Sequence, residues 1–152
     1  MNEVIEDTVQ LIYASRMAKG CGPKDLEAIL DISRKKNPSI GVTGALCYSA
    51  RGFLQCLEGS RSAVNTLYRR IVQDERNEDI TLISYEHITE RTFGQWSMAY
   101  VRADGVDAKI LKKHKVDQDF DPFSVTPKQA IGLLRDMARE RAAFLAQQQK
   151  GE

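Results

Sequence analysis

Residues 42–74, VTGALCYSARGFLQCLEGSRSAVNTLYRRIVQD, hold three successive elements that decide the class of fold. The apolar runs 42–48 and 52–58 have the length of strands, and the short link between them contains a glycine, as in a hairpin. Ser60 has the side chain of a helix N-cap. An apolar stripe at helical spacing follows it, formed by Val64, Leu67, Tyr68, Ile71 and Val72. The stretch therefore predicts a β-hairpin and then a helix that ends near Asp74.

The flanking segments supply the same kinds of element. Upstream, residues 9–15 are typical of a strand, and residues 24–36 have the apolar spacing of a helix that ends before Pro38. Downstream, residues 80–88 and 97–101 predict a fourth and a fifth strand. The order strand-helix-strand-strand-helix-strand-strand is the ferredoxin-like plan with one added strand. We therefore predict an α+β fold with a five-stranded mixed sheet and two helices on one face.

The last third of the chain has a different character. Residues 117–122 are acidic and rich in turn formers, and Thr126 has the position of an N-cap before a proline that opens a last helix. Its apolar stripe is formed by Ile131, Leu134, Met137, Ala138 and Phe144. A short helix is expected near residues 108–114. Because helices on one face leave the other face exposed, we predict that the C-terminal helices cover it, with a sheet domain over residues 1–101 and a helical extension over residues 102–152.

Length and composition exclude several classes of protein. The 152 residues are 42% hydrophobic and 28% charged, as in an ordinary globular domain. Lys and Arg number 22 against 21 Asp and Glu, so the net charge of +1 gives no basic excess for nucleic acid. There is no apolar run long enough to cross a membrane, and the acidic N-terminus does not resemble a signal peptide. Three cysteines without a CxxC pair favour free thiols in a reducing cytoplasm, and two distant histidines give no metal site.

Three polar residues fall where apolar ones would be expected. Tyr13 lies in the middle of the first strand, and Asn37 lies at the exit of the first helix. Gln55 shares a strand face with Phe53 and Leu57. A buried amide without partners costs about 1–3 kcal/mol, so Gln55 either has partners in the interior or faces solvent.

Four blocks of the sequence, in order, resemble the signature of BLUF domains, which are blue-light sensors that use a flavin. The blocks are LIYAS at 11–15, VTGALCY at 42–48, GFLQCLEG at 52–59 and FGQWSM at 93–98. The resemblance covers roughly residues 8–101. It implies a flavin held between the two helices, with FAD expected and FMN or riboflavin as alternatives.

The resemblance assigns flavin binding to residues of both helices, their exits and the third strand: Ile29, Asn37, Gln55, Ile71, Asp74, Arg76 and Asn77. In the family, residues at the positions of Ile29 and Ile71 sandwich the flavin ring, and an amide at the position of Asn37 meets the polar edge of the ring. Arg76 matches a residue that approaches the opposite side. From the residues alone, Ile29 and Ile71 could equally be ordinary core, and residues 74–77 a solvated turn.

The resemblance also implies the photochemistry. Blue light excites the flavin, Tyr13 donates an electron and then a proton, and Gln55, between Tyr13 and the flavin, reverses its hydrogen bonds by rotation or tautomerisation. Trp96 and Met98 are expected on the last strand, where they exchange for the place beside Gln55 and pass the change to the C-terminal helices. The resemblance does not say which of the two lies there in the dark. The alternative for Trp96 is a half-buried anchor.

The expected function is therefore that of a photoreceptor and not of an enzyme, without catalytic residues or a metal. The resemblance implies a homo-oligomer that acts on a separate signalling protein, such as a response-regulator-like protein, a cyclic-di-GMP enzyme or a transcription regulator. One alternative is an RNA binder of the RRM type, because residues 51–53 begin like its RNP1 motif, although Glu58 and the aromatic content of 7% argue against it. Another is a small ferredoxin-like enzyme of the acylphosphatase type, for which a Gly-rich anion loop is missing. Of the three, only the photoreceptor should be yellow.

Overall fold

The computed structural model describes residues 7–150, which form a five-stranded sheet with helices on both faces. The strands are β1 (Thr8–Met17), β2 (Thr43–Ser49), β3 (Gly52–Ser60), β4 (Asn77–His87) and β5 (Ala99–Arg102). They lie in the order β4-β1-β3-β2-β5, and every neighbouring pair is antiparallel except β2 and β5. The helices are α1 (Pro23–Ile40), α2 (Arg61–Gln73), α3 (Ala108–Lys113) and α4 (Pro127–Lys150). The predicted ferredoxin-like plan is confirmed.

Two apolar cores lie on opposite faces of the sheet because side chains alternate along each strand. On one face, Leu11 and Leu57 pack with residues of α1 and α2. On the other, Ile12 and Leu54 pack with residues of α3 and α4, including the fully buried Leu133. The C-terminal helices thus cover the second face, as predicted.

Helix α1 continues past the proline that was expected to end it. Pro38 lies in the last turn, and the helix ends at Ile40, before Gly41 with φ 69°. The Gly41 N–H bonds the Pro38 carbonyl and the Val42 N–H bonds the Asn37 carbonyl, the pattern of a Schellman motif. The cap satisfies the carbonyls of Asn37 and Pro38 and ends the helix directly after the turn that contains the proline.

The other predicted caps form. Ser60 begins α2 by accepting a hydrogen bond from the Ala63 N–H at 3.2 Å. Thr126 and Gln129 form a reciprocal capping box before α4, with bonds of 3.1 and 2.9 Å. Two residues assigned to the apolar stripes are exposed instead: Val72 at 51% and Phe144 at 48%.

A cluster of charges joins α3 to α4. Asp136 on α4 accepts hydrogen bonds from His114 at 2.7 Å and Lys113 at 2.9 Å, and Arg135 contacts it at 3.3 Å. The His114 ring lies over Gly132, where an added Cβ would come within 2.5 Å of it. Partial burial alone would raise the pKa of Asp136, but these hydrogen bonds outweigh it and lower the pKa to about 2.

The connection from β4 to β5 crosses the whole sheet, because these two strands form its opposite edges. It begins at Ile88, whose N–H bonds the Thr8 carbonyl of β1 at 2.9 Å. It then passes the ends of β3 and β2, where Arg91 contacts Thr43 at 3.2 Å. Within the described residues, no helix combines the length and the apolar character needed to cross a membrane.

Candidate functional site

A narrow slot between α1, α2 and the sheet gathers most of the residues that the sequence marked. Its lining includes eight of them, which come from both helices, from β1 and β3, from the exit of α2 and the first residue of β4, and from the chain that precedes β5: Tyr13, Ile29, Asn37, Gln55, Ile71, Asp74, Asn77 and Met98. Arg76 and Trp96 do not line it. The slot encloses a cavity of about 70 Å³.

The floor of the slot holds a row of three hydrogen-bonded side chains. The Tyr13 hydroxyl donates to Gln55 Oε1, and Gln55 Nε2 donates to the sulfur of Met98 at 3.3 Å. The register explains the first contact, since Tyr13 and Gln55 are direct partners on the antiparallel strands β1 and β3. Both are buried, at 4% and 8% exposed, so Gln55 faces the interior and not solvent.

Burial keeps the Tyr13 phenol protonated. It raises the pKa of Tyr13 well above its usual value, and the nearby Tyr68 and Asp74 act in the same direction. The Tyr68 ring lies 5.6 Å from the Tyr13 ring between centroids. Tyr13 is therefore a neutral hydrogen-bond donor at any ordinary pH, and its proton is held between its own oxygen and Gln55.

The polar exit of α1 ties the helix to the segment before β5. Asn37 is almost completely buried, and its Nδ2 donates to the Ser97 carbonyl at 2.7 Å. Arg34 reaches the Met98 carbonyl at 3.3 Å. These contacts hold the chain so that the Met98 side chain enters the slot beside Gln55.

Trp96 and Met98 were expected on the last strand, but β5 begins only at Ala99. Residues two apart on a regular strand share a face, whereas here Met98 packs in the α1/α2 core and Trp96 packs on the opposite core. The Trp96 ring is half-buried, 6.3 Å from the Phe93 ring between centroids. In this structure Met98, and not Trp96, is therefore the neighbour of Gln55.

At the exit of α2, Asp74 and Arg76 form a pair with two parallel contacts. Arg76 Nη2 lies 2.6 Å from Asp74 Oδ2, and Arg76 Nε lies 3.0 Å from Asp74 Oδ1. The hydrogen bond from Arg76 lowers the pKa of Asp74, and that from Asp74 raises the pKa of Arg76. The neighbouring Asn77 donates to the Ile71 carbonyl at 3.4 Å and is the first residue of β4.

The chemistry of the slot fits a flat aromatic cofactor such as a flavin. Ile29 and Ile71 supply apolar, half-buried walls from α1 and α2, and amide groups of Asn37 and Gln55 lie among them. The cavity of about 70 Å³ has room for a few water molecules only.

A larger cavity of about 660 Å³ borders the first turns of α1 and the β2–β3 hairpin. Its lining includes Tyr48, Tyr100 and Arg102, and none of the residues predicted to bind the flavin or to take part in the photochemistry. We place the functional site in the smaller slot, because a buried phenol and a buried amide meet there.

Two further residues bear on the site although the sequence did not mark them. Ser33 lines the slot one turn from both Ile29 and Asn37, and the spacing of four residues could have indicated it. Glu58 is fully buried on the opposite face of β3, close to the connection from β4 to β5. No sequence signal separates it from an exposed carboxylate at the end of a strand.

The structure argues against the RNA-binding alternative. An RRM binds RNA on exposed aromatic side chains of an open sheet face. Here Phe53 is 4% exposed beneath α1, and helices pack on both faces.

Comparison with known proteins identifies the family of the chain. The family description "Sensors of blue-light using FAD", BLUF, matches residues 8–99. The alpha subunit of photoactivated adenylate cyclase from Euglena gracilis is 37% identical over 86 residues, which are 57% of this chain and 8% of that protein. The chain thus spans less than a tenth of the length of this relative.

Two solved structures resemble most of the chain. BlsA in its photo-activated state has a TM-score of 0.76 and 29% identity, and the match covers 86% of this chain and 94% of BlsA. The dark-state structure of BlrB, a BLUF protein, has a TM-score of 0.72 and 31% identity, and the match covers 89% of this chain and 98% of BlrB.

Proposed function

The chain belongs to the BLUF family of blue-light sensors that use FAD, and we propose that Tyr13 and Gln55 are the residues that convert light into a structural change. The observation that supports this is the buried row of Tyr13, Gln55 and Met98 at the floor of the slot. We assign the walls of the flavin site to Ile29 and Ile71.

A flavin bound in the slot supplies blue-light absorption and, once excited, the oxidising power to draw an electron from a nearby phenol. Asn37 and Gln55 offer amide donors and acceptors to its polar edge. At the exit of α2, Asp74 and Asn77 line the slot, and Arg76, which does not line it, is paired with Asp74.

Tyr13 is suited to lose an electron and then a proton. Because burial keeps its phenol neutral, the proton leaves only when the loss of an electron makes the hydroxyl acidic. The acceptor is already in contact, since the hydroxyl donates to Gln55 Oε1. The proton therefore moves along an existing hydrogen bond, and both the proton and the electron return to Tyr13 once the amide has turned, so that no oxidant or reductant is consumed.

The Gln55 side chain can adopt two hydrogen-bonded orientations, because its amide has a donor at one end and an acceptor at the other. In this structure Oε1 faces Tyr13 and Nε2 faces Met98. When the amide turns end for end, Oε1 faces the Met98 thioether, which has no proton to donate. The indole N–H of Trp96 is a donor, so the turned amide favours exchange of Met98 for Trp96.

The exchange carries the signal to the helical extension. Residues 96–98 lead directly into β5, which pairs with β2 and continues through the short 3₁₀ turn Ala103–Gly105 into α3. We propose that residues 1–101 are the sensor domain and that residues 102–152 are the output element. In this proposal the chain is not itself an enzyme: it forms a homo-oligomer and acts on a separate signalling protein.

Absorption spectroscopy tests the proposal. The purified full chain should be yellow, and blue light should shift its absorption reversibly to the red. A colourless protein after incubation with FAD, or a yellow one whose spectrum does not respond to light, would show that the proposal is wrong.

A further inference from the structure

Glu58 is a fully buried carboxylate that has no place in the photochemistry described above. It lies on β3, three residues after Gln55, but its side chain is on the opposite face of the sheet, at the end where the connection between β4 and β5 crosses. Such a group is costly to bury unless it is hydrogen-bonded at both oxygens.

Both oxygens of Glu58 have partners, and every partner is an N–H group. Oε2 accepts from Gln10 Nε2 and from the Thr92 backbone N–H, each at 2.9 Å, and Oε1 accepts from the Phe93 backbone N–H at 2.7 Å. A carboxylate, which only accepts, matches this set of donors. Two of the three bonds thus hold the crossing connection and one holds the neighbouring strand β1.

The connection held by Glu58 contains Trp96 and Met98, the two residues of the proposed exchange. The Trp96 N–H bonds the Phe93 carbonyl at 3.1 Å, and the Gly44 N–H of β2 bonds the Trp96 carbonyl at 3.1 Å. Phe93 is completely buried and its ring faces that of Trp96. A displacement of residues 92–93 therefore moves Trp96 directly.

We propose that Glu58 is a positioning residue: its bonds to Thr92 and Phe93 hold the connection so that Met98 stays against Gln55 and Trp96 stays on the opposite core. We call these two bonds the clamp. The exchange of Met98 for Trp96 has to strain them, so the clamp sets the rate at which the switched state returns to the dark state. The second statement rests on the proposed function, while the first concerns the dark structure alone.

The substitution Glu58→Gln tests the clamp, because one oxygen acceptor becomes an NH₂ group facing an N–H donor, and the remaining bonds lose their charge. We expect the dark recovery of the flavin-loaded full chain to slow about tenfold, equivalent to a barrier higher by ~1.4 kcal/mol, because the switched state is then no longer strained against the clamp. Trp96 is the single tryptophan of the chain, so its fluorescence reports the connection alone, and its emission should shift to the red in this variant.

Two control variants separate the clamp from a general loss of stability. Gln10→Leu removes the bond to β1 but leaves both bonds to the connection, so it should destabilise the fold without changing Trp96 emission. Glu86→Gln alters an exposed carboxylate on β4, opposite Gln10 in the sheet, and should change neither property. Equal effects of Glu58→Gln and Gln10→Leu on emission and recovery would overturn the proposal.

A measurement on the unchanged chain covers the case in which Glu58→Gln does not fold. Amide hydrogen exchange in the dark should be strongly slowed at Thr92 and Phe93 relative to the exposed Gln95. Exchange as fast at Thr92 and Phe93 as at Gln95 would show that the clamp does not exist. The emission and hydrogen-exchange measurements do not require photoactivity, so a chain that is spectrally inert and yet protected at Thr92 and Phe93 would contradict the proposed function and leave the clamp standing.

Discussion

The hydrogen bond between Tyr13 and Gln55 predicts a specific pattern of stability in three variants. Gln55→Leu leaves the Tyr13 hydroxyl, in a side chain only 4% exposed, without its acceptor. Tyr13→Phe leaves Gln55 Oε1 without its donor. Each buried group that loses its partner costs about 1–3 kcal/mol. The double variant leaves neither group unpaired, so its loss of stability should be smaller than the sum of the single losses by at least about 1 kcal/mol.

Urea unfolding of the full chain, kept in the dark and followed by circular dichroism, measures these free energies. Both single variants should also lose the light-induced red shift, Gln55→Leu because the switching amide is gone and Tyr13→Phe because the electron donor is gone. Tyr68→Phe is the matched control, since it removes a hydroxyl from the ring that contacts Tyr13 and leaves the row of hydrogen bonds intact.

Two results would refute this reasoning. Losses of stability that add to within about 0.5 kcal/mol would show that the phenol and the amide do not interact. A normal red shift in Gln55→Leu would show that the amide is not the switch, whatever its contribution to stability.

Three further predictions concern the rest of the chain. Because its folded pKa lies below the unfolded value, Asp136 stabilises the fold above pH 4 and loses this effect as the pH falls toward 2. Asp136→Asn should therefore cost about 1–2 kcal/mol at pH 7, and equilibrium unfolding should show the difference from the parent chain vanishing near pH 2. Gly132→Ala should lower the free energy of unfolding by about 1–3 kcal/mol, because the added Cβ meets the His114 imidazole packed on the glycine. Gly105→Ala is the control, since the space around Gly105 is open. Equal melting temperatures of the two variants in a thermal melt would contradict the packing. Burial raises the pKa of Cys47 to about 12. A thiol reagent at pH 8 should therefore modify the half-exposed Cys21 in the folded chain, but Cys47 only after unfolding. Rapid labelling of Cys47 in the folded chain would contradict its burial.

Sequence patterns predict helix caps correctly where the interaction joins residues only a few positions apart. Ser60 and Thr126 cap helices because a side-chain oxygen three residues before a free N–H is sufficient for a cap. Helix α1 ends later than Pro38 predicts, since its last turn includes the proline and the left-handed Gly41 ends it three residues further on. Phe144 fits the helical stripe of α4 and is nevertheless 48% exposed.

Alternation and helical spacing are local, so they predict the order of strands and helices directly along the chain. The resemblance adds eight residues that line the slot. The place of Met98, and not Trp96, beside Gln55 and the burial of Glu58 are found only in the folded chain. Both outcomes depend on how the β4–β5 connection crosses the sheet, and therefore on contacts between residues more than thirty positions apart. No local pattern carries that information, because the path follows from the strand order that places β4 and β5 at opposite edges.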